Sequence, residues 1–335
     1  MESYVEAELL CLEETYRILD RFSEELWPGW RNYAEVPVEV DFPDGVVLLV
    51  SSRGKVGRGF ERVAGRSICG KAVYVNRKKR TAVEVRPPLF AGRARGGKLI
   101  KVEMGQPDLP AAETERAAAL ESLLKEKSRP ESPFDLAPLG DTDSRILSYI
   151  HEHFHGYRVK FPANDLAVAA VPLFRIDAEY AAWSQVEGLA LQRTYDEPED
   201  AAAREFLKDF LVAREIKRAL MPREAANFEA LFSAMEGTSS YVSLKAAMLL
   251  GASDYEPALD RTKNPYFYAF AYVDGYIDNI MRKGMDYAVS LTRDTQRKYY
   301  FYGVYQCFLL DRFAPGWKRG FLEEAKTLDE VMAGL

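Results

Sequence analysis

Apolar residues recur at two different spacings along this chain, and the change of spacing divides it. In the first 26 residues they recur every three or four positions, which predicts an amphipathic helix. The stripe comprises Leu9, Leu12, Tyr16, Leu19 and Phe22. Residues 35–104 instead hold short runs rich in β-branched residues, separated by glycine-containing breaks and by a Pro-Asp-Gly turn at 43–45. This second region predicts a small antiparallel sheet.

The rest of the chain has the spacing of helices. A helix is predicted at 111–127, and a Pro-, Ser- and Asp-rich stretch at 128–140 is the best linker candidate. Further helices are predicted near 142–158, 174–195, 199–220, 223–250, 265–284, 296–313 and 319–333. Thr327 and Glu330 form a capping box in the last one. The fold class is therefore α+β. It comprises an N-terminal region at 1–127, the linker, and a mainly helical domain at 141–335.

Charge and hydropathy exclude two classes of partner. The net charge is −6, from 45 basic and 51 acidic residues that are mixed along the chain, so we expect no nucleic-acid partner. The short basic run at 77–80 is typical of a solvated turn. The longest apolar run, at 166–174, contains Pro172 and is far shorter than the roughly 20 residues that span a bilayer. We therefore expect no membrane segment.

The cysteines and the N-terminal residues favour particular cellular compartments. Cys11, Cys69 and Cys307 are odd in number, far apart and without CxxC spacing, which favours a reducing compartment. The first residues are acidic where an export signal needs positive charge, so we expect a cytoplasmic protein, although a trimmed export signal stays open. The oligomeric state leaves no local signature.

All three histidines of the chain lie in the segment SYIHEHFHGY at 148–157. His151 and His155 are four residues apart, so a helix brings them to one face, where two neutral imidazoles can bind one zinc ion. Glu152 completes the pattern His-Glu-x-x-His and can act as the general base for a zinc-bound water. His153 points to another face. The alternative is a set of surface histidines on an ordinary amphipathic helix.

A catalytic zinc needs a third protein ligand, and the chain has no histidine left for it. The metzincin pattern would place a glycine and a histidine three and six positions after His155, where Arg158 and Phe161 stand. A carboxylate is therefore expected, and Glu236 is the best candidate, since it lies at the edge of the apolar helical stripe at 228–235. The alternative ligands are Glu187, Glu229 and Glu179.

The chain resembles the gluzincin branch of the zincin metallopeptidases in two motifs, HEHFH at 151–155 and EGTSSYV at 236–242. The resemblance is closer to bacterial zincin-like proteins with HExFH and then EGxxxYV, and the stretch YYFYGVYQCFLLDRFAPGWK is similar to their closing helix. It covers about residues 141–320. It implies a zincin-like helical domain with one zinc ion on His151, His155 and Glu236, and with Glu152 as the base. Many gluzincins have an aspartate four positions after the ligand glutamate, whereas this chain has Ser240.

Transition-state stabilisation in a zinc peptidase needs a second electrophile beside the metal. Tyr299, Tyr300 and Tyr302 precede Gly303 in the closing segment, and Tyr300 and Tyr302 are the predicted catalytic partners of Glu152. The sequence thus predicts a zinc-dependent metallopeptidase, or a related amide hydrolase, that acts on a peptide or protein. The alternative is a non-catalytic zincin-like protein that binds zinc structurally or binds peptides.

Overall fold

The computed structural model of the chain describes residues 3–31, 33–42, 44–52, 56–77, 90–95, 99–104, 141–161, 177–260, 267–290 and 295–335. The predicted helix at 111–127, the predicted linker at 128–140 and the apolar run at 166–174 lie outside these residues.

The first predicted helix is confirmed. Helix α1 spans Ser3–Leu26, and its predicted apolar stripe is buried. The chain turns at Pro28 and Gly29, because Pro28 disfavours a helical conformation in the preceding residue and Gly29 adopts a positive φ of 80°.

The predicted sheet is present, with six strands in the order β3-β4-β2-β1-β6-β5. The strands are β1 at Val38–Asp41, β2 at Val47–Ser51, β3 at Glu61–Ile68, β4 at Lys71–Asn76, β5 at Phe90–Arg95 and β6 at Leu99–Met104. The predicted turn between β1 and β2 contains Gly45, at a φ of 85°, and the Asp44 carboxylate accepts the Val46 amide hydrogen at 3.1 Å. The positive φ of Gly45 and the hydrogen bond of Asp44 thus form the turn that joins two antiparallel strands.

The prediction of an antiparallel sheet holds for four strand pairs and is wrong for one. Strands β1 and β6 pair in parallel, with Val38 opposite Ile100. More than 50 residues separate the two strands along the chain, well above the dozen or so that a parallel crossover connection needs. The sheet is therefore mixed.

The described residues divide into two compact units: the first comprises those up to 104, 141–160, 245–260 and 267–276, and the second comprises the others. The helix that carries the histidines, α2 at Asp141–Arg158, packs against α1 in the first unit. The buried carboxylate of Glu8 on α1 accepts hydrogen bonds from Tyr149 and from Arg145, the latter at 2.9 Å. The Phe154 ring lies 4.8 Å from the Trp27 ring, centroid to centroid. The sequence grouped α2 with the C-terminal helices, whereas in the structure it contacts the N-terminal helix and the sheet.

The remaining regular elements are helical. They are α3 at Ala178–Asp196, α4 at Asp200–Ala219, α5 at Arg223–Phe232, a π-helical segment at Ser233–Gly237, α6 at Thr238–Ala252, α7 at Val273–Asp278, a second π-helical segment at Asn279–Lys283, α8 at Gly284–Ser290, α9 at Thr295–Phe313 and α10 at Leu328–Met332. The predicted capping box of the last helix is confirmed: the Thr327 hydroxyl accepts from the Glu330 amide and the Glu330 carboxylate from the Thr327 amide. No described helix is long and apolar enough to cross a membrane.

The second compact unit is built around α9. Glycines on three neighbouring elements let α9 approach closely: Gly188 faces Tyr302, Gly237 faces Gly303 and Gly284 faces Phe301. A Cβ atom at Gly237 would overlap the Cα atom of Gly303, so neither position tolerates a side chain without a shift of the backbone. This contact fixes the π-helical segment, which carries Glu236, against α9.

A buried ionic cluster lies inside this second unit. The Lys217 ammonium donates to Glu187 Oε2 at 2.9 Å, to Glu229 Oε2 at 2.8 Å and to the Tyr299 hydroxyl at 3.0 Å. The Arg214 guanidinium donates to Glu187 Oε1 at 2.7 Å. Burial alone would raise the pKa of Glu187, but the Lys217 and Arg214 cations hold it below its usual range. The cluster therefore keeps Glu187 ionised.

We expect Glu187→Ala to lower the free energy of unfolding by about 3–5 kcal/mol, because it leaves Lys217 and Arg214 buried without this anion. Urea denaturation of both proteins measures the difference. Glu179→Ala, at an exposed position of the same helix, is the matched control and should change stability by less than about 0.5 kcal/mol.

The pH dependence gives a second measure of the same cluster. A carboxylate whose pKa is lower in the folded state contributes its full stability above the unfolded pKa, about 4.3, and loses it as the pH falls through the folded value. The difference between wild type and Glu187→Ala should therefore shrink below about pH 4. Equal stability of the two proteins at neutral pH would contradict the role given to Glu187.

Candidate metal centre

The His151 and His155 side chains meet on one face of α2. Their Nε2 atoms are 2.9 Å apart, and both side chains are half-buried. Two nitrogens bound at ~2.05 Å to one tetrahedral zinc ion lie about 3.3 Å apart. A small rotation of either ring would reach that separation. The pair therefore fits a shared metal ion, as the four-residue spacing predicts.

The third histidine lies away from this pair, as its two-residue offset predicts. His153 is fully buried, its ring stands edge-on to the Tyr16 ring, and its Nδ1 atom lies 2.7 Å from the Tyr149 carbonyl oxygen. Because a carbonyl only accepts, Nδ1 is the protonated nitrogen. Burial lowers the pKa of His153 to about 3, which keeps the ring neutral. His153 is a packing residue of the first unit.

Glu152, the predicted base, follows His151 directly on α2. Its side chain is 7 % exposed. Successive helical residues are rotated by about 100°, so Glu152 is offset by about 60° from His155 and by about 20° from Arg145, which binds Glu8 of α1. Glu152 therefore lies between the histidine face and the face that contacts α1.

Glu236 lies in the π-helical segment at Ser233–Gly237, which interrupts the long helix predicted at 223–250. One-turn π segments inside helices occur often at functional sites, because the extra residue turns neighbouring side chains to a different face. The Glu236 side chain is half-buried. The close contact of Gly237 with Gly303 gives a packing reason for the glycine in the EGxxxYV pattern.

His151 and His155 are the candidate metal ligands that the structure brings together on one helix. Two imidazoles and one carboxylate are the donor set of many catalytic zinc sites. The carboxylate predicted from the sequence, Glu236, belongs to the other compact unit.

The alternative third ligands occupy different surroundings. Glu187 and Glu229 are both buried in the ionic cluster, where they bind Lys217, and Glu229 also accepts from the Tyr180 hydroxyl at 3.2 Å. Glu179 is exposed in the first turn of α3. Ion pairing explains the burial of the first two acids without a metal.

The predicted tyrosines differ in their surroundings. Tyr299 and Tyr302 are fully buried, with hydroxyls that contact Lys217 at 3.0 Å and the Ser184 carbonyl oxygen at 3.4 Å. Burial raises the pKa of both phenols well above the ordinary value. Tyr300 is half-buried, packs on Phe232 and lies one turn before Gly303. The Tyr300 ring thus contacts the residue that directly precedes the π-helical segment carrying Glu236.

Comparisons with known proteins give no relative. A scan against protein-family models finds no match, and searches of curated proteins and of solved structures find none either. The resemblance to gluzincins therefore rests on the two motifs alone.

Replacing Glu236 by alanine is expected to weaken zinc binding by more than about 100-fold, because losing a ligand costs more than losing one of its hydrogen-bond partners. Competition with a chromophoric chelator measures the affinity. Glu179→Ala is the matched control, and Glu187→Ala should change the affinity little despite its effect on stability. Unchanged zinc affinity in Glu236→Ala would show that another group is the third ligand.

Proposed function

We propose that the protein is a zinc-dependent metallopeptidase or a related amide hydrolase, with zinc bound by His151, His155 and Glu236. The observation that carries the proposal is the pair of Nε2 atoms 2.9 Å apart on one helix face, and Glu152 follows His151 directly in the sequence. The resemblance of EGTSSYV to the gluzincin motif, and the half-buried position of Glu236 in a π-helical segment, support this residue as the third ligand. Bound zinc supplies a Lewis acid and lowers the pKa of a coordinated water to about 7.

The residues of the chain then have separate tasks. Glu152 accepts the proton of the attacking water and passes it to the leaving amine, a task for which a carboxylate needs only contact with that water. Tyr300 donates a hydrogen bond to the oxygen on which negative charge develops. Tyr302 was predicted for the same task, but its hydroxyl faces Ser184 inside the buried cluster. Tyr300 is therefore the better candidate.

The donor set favours a catalytic zinc over a structural one. A structural zinc is surrounded by four protein ligands, whereas a catalytic zinc keeps one position open. The proposed set has three protein ligands, two imidazoles and one carboxylate, which leaves that position to water. The non-catalytic alternative requires a protein that retains zinc and cleaves no peptide.

Metal analysis combined with a peptide digest tests the proposal. Protein purified without chelators should contain about one zinc per chain and cleave members of a mixed peptide library. A chelator should stop cleavage, and added zinc should restore it. Cleavage that continues in metal-free protein would refute the proposal, and stoichiometric zinc without cleavage would favour the non-catalytic alternative.

A further inference from the structure

The charge of the chain is unevenly distributed between the sheet region and the rest. Residues 51–104, which contain strands β3 to β6, hold 15 basic and three acidic side chains, a net charge of +12. The other residues hold 30 basic and 48 acidic side chains, a net charge of −18. The expectation of no nucleic-acid partner rests on the net charge of the whole chain, which averages these two parts. A segment with so large a positive charge can attract a polyanion whatever the sign of the total.

The hairpin of β3 and β4 forms one edge of the sheet and presents arginines to solvent. Arg58 precedes β3, Arg62 lies on β3 and Arg77 directly follows β4, and all three residues are exposed. The chain at Gly59 lies close to the end of β4, because a Cβ atom on Gly59 would be 3.2 Å from the Asn76 Nδ2 atom. The backbone therefore brings Arg58 and Arg77 to the same end of the hairpin.

Two other basic residues of this hairpin have partners within the first unit. Arg66 binds Glu6 of α1, and the buried Lys71 donates to the Tyr16 hydroxyl at 2.8 Å. Arg58 and Arg62, in contrast, form no ion pair within the part of the chain that the structure describes. An exposed guanidinium of this kind keeps its five N–H donors for water or a ligand. Arg58 and Arg62 are therefore the described residues best suited to contact an anion.

The hairpin of β5 and β6, at the other edge of the sheet, adds like charges at neighbouring positions. Residues 90–104 hold four basic side chains and one acidic one. Arg93 on β5 is opposite Lys101 on β6, and Arg95 lies two residues further along β5. Like charges at opposite positions destabilise a sheet, and Glu39 of β1 balances only part of this charge from the position paired with Lys101. A bound polyanion would supply further negative charge.

We propose that the basic segment at 51–104 binds the phosphate backbone of a nucleic acid. This inference is independent of the proposed hydrolase function. Nine of the 15 basic residues are arginines, whose planar fork matches a phosphate with two hydrogen bonds. A two-stranded antiparallel ribbon, such as either hairpin, is also narrow enough to enter the major groove of a duplex. Because phosphates carry no base sequence, the binding should be nonspecific.

An anionic membrane also presents phosphates, but it favours a different surface. Interfacial binding to lipid combines cations with apolar side chains that enter the headgroup region. The large apolar side chains that are exposed in the described part of the chain lie outside this segment, at Val186, Leu189, Val212, Tyr272 and Leu335. The segment at 51–104 therefore fits a nucleic acid better than a membrane.

Titrations of the full chain into labelled duplex DNA, single-stranded DNA and RNA, followed by fluorescence anisotropy, test the inference. Binding that neutralises four phosphates of a duplex should weaken by roughly 100-fold between 50 and 200 mM salt. Arg58→Gln/Arg62→Gln should reduce the slope of log affinity against log salt by about 1–2. The matched control, Arg193→Gln/Arg223→Gln, removes two exposed arginines of the second unit and should keep the wild-type slope.

Three results would overturn the inference. They are no binding of any of the three nucleic acids at 50 mM salt, an equal loss of slope in the two double variants, and tighter binding to phosphatidylserine vesicles than to nucleic acid. A preference for DNA or for RNA would support it, since both present phosphates. His151→Ala/His155→Ala should bind nucleic acid like the wild type, so failure of the zinc proposal would leave this inference standing.

Discussion

Replacing both His151 and His155 by alanine is expected to abolish zinc binding. Glu236 would then be the last of the three ligands, and a single carboxylate competes poorly with water and buffer for the ion. Protein purified without chelators should drop from about one zinc per chain to a trace in elemental analysis. Each single variant should also release the metal, because two protein ligands bind zinc far more weakly than three.

His153→Ala is the matched control for these variants, since it removes the third histidine from the same helix. The His153 ring packs against Tyr16 and contacts the Tyr149 carbonyl, so its loss should lower the melting temperature. The zinc content should nevertheless stay near one per chain. Full zinc occupancy in the double variant, with normal circular dichroism, would show that the metal is held elsewhere.

The histidine pair could be predicted from the sequence because its geometry is local. A four-residue spacing fixes two side chains on neighbouring turns of any helix, and the surrounding apolar pattern indicates the helix itself. The same reasoning placed His153 on another face, where the structure has it. Because all three histidines lie on one helix, the helix geometry sets their relative orientation and the tertiary fold changes it little.

The surroundings of Glu236 depend on features that the apolar pattern does not contain. The sequence predicts one continuous helix at 223–250, whereas the structure has α5, a π-helical segment and α6. A π segment adds one residue to a turn, and a period of 3.6 residues cannot reveal it. Its packing partner, Gly303, is 66 residues away from Gly237 in the printed sequence. The spacing of apolar residues within one segment does not indicate long-range contacts of this kind.

Distance along the chain also explains why Glu187 competed with Glu236 as a candidate ligand. Both acids lie beside apolar stripes, so their local patterns are alike. The cations that hold Glu187 are on the next helix, 27 and 30 residues further along. Similarly, the parallel pairing of β1 with β6 follows from the tertiary fold, whereas the turn between β1 and β2 follows from adjacent residues.

The last helix is shorter than predicted, because two residues in the first half of the predicted range have backbone conformations that an α-helix excludes. The sequence predicts helix over 319–333, but α10 spans only Leu328–Met332. Gly320 and Ala325 have positive φ values of 76° and 57°. The left-handed conformation ends a helical run wherever it occurs. The capping box at Thr327 marks where the helix begins.

Glu152→Gln is expected to keep zinc and to lower kcat for peptide hydrolysis by about 10³–10⁴. Glutamine has the size of glutamate and still accepts a hydrogen bond from water, but its amide cannot take up the proton. Because Glu152 is 7 % exposed, an isosteric change also preserves the packing around it better than a truncation would. Zinc content and kcat should be measured on the same preparation.

The pair of measurements separates the chemical step from metal binding. In the double histidine variant activity should fall together with zinc, whereas in Glu152→Gln activity should fall while zinc stays. Glu179→Gln, at an exposed position, controls for the loss of one negative charge and should keep both. Turnover within about tenfold of wild type in Glu152→Gln would assign the proton transfer to another group, since a general base contributes at least about 10². Loss of zinc in that variant would instead make Glu152 part of the metal site.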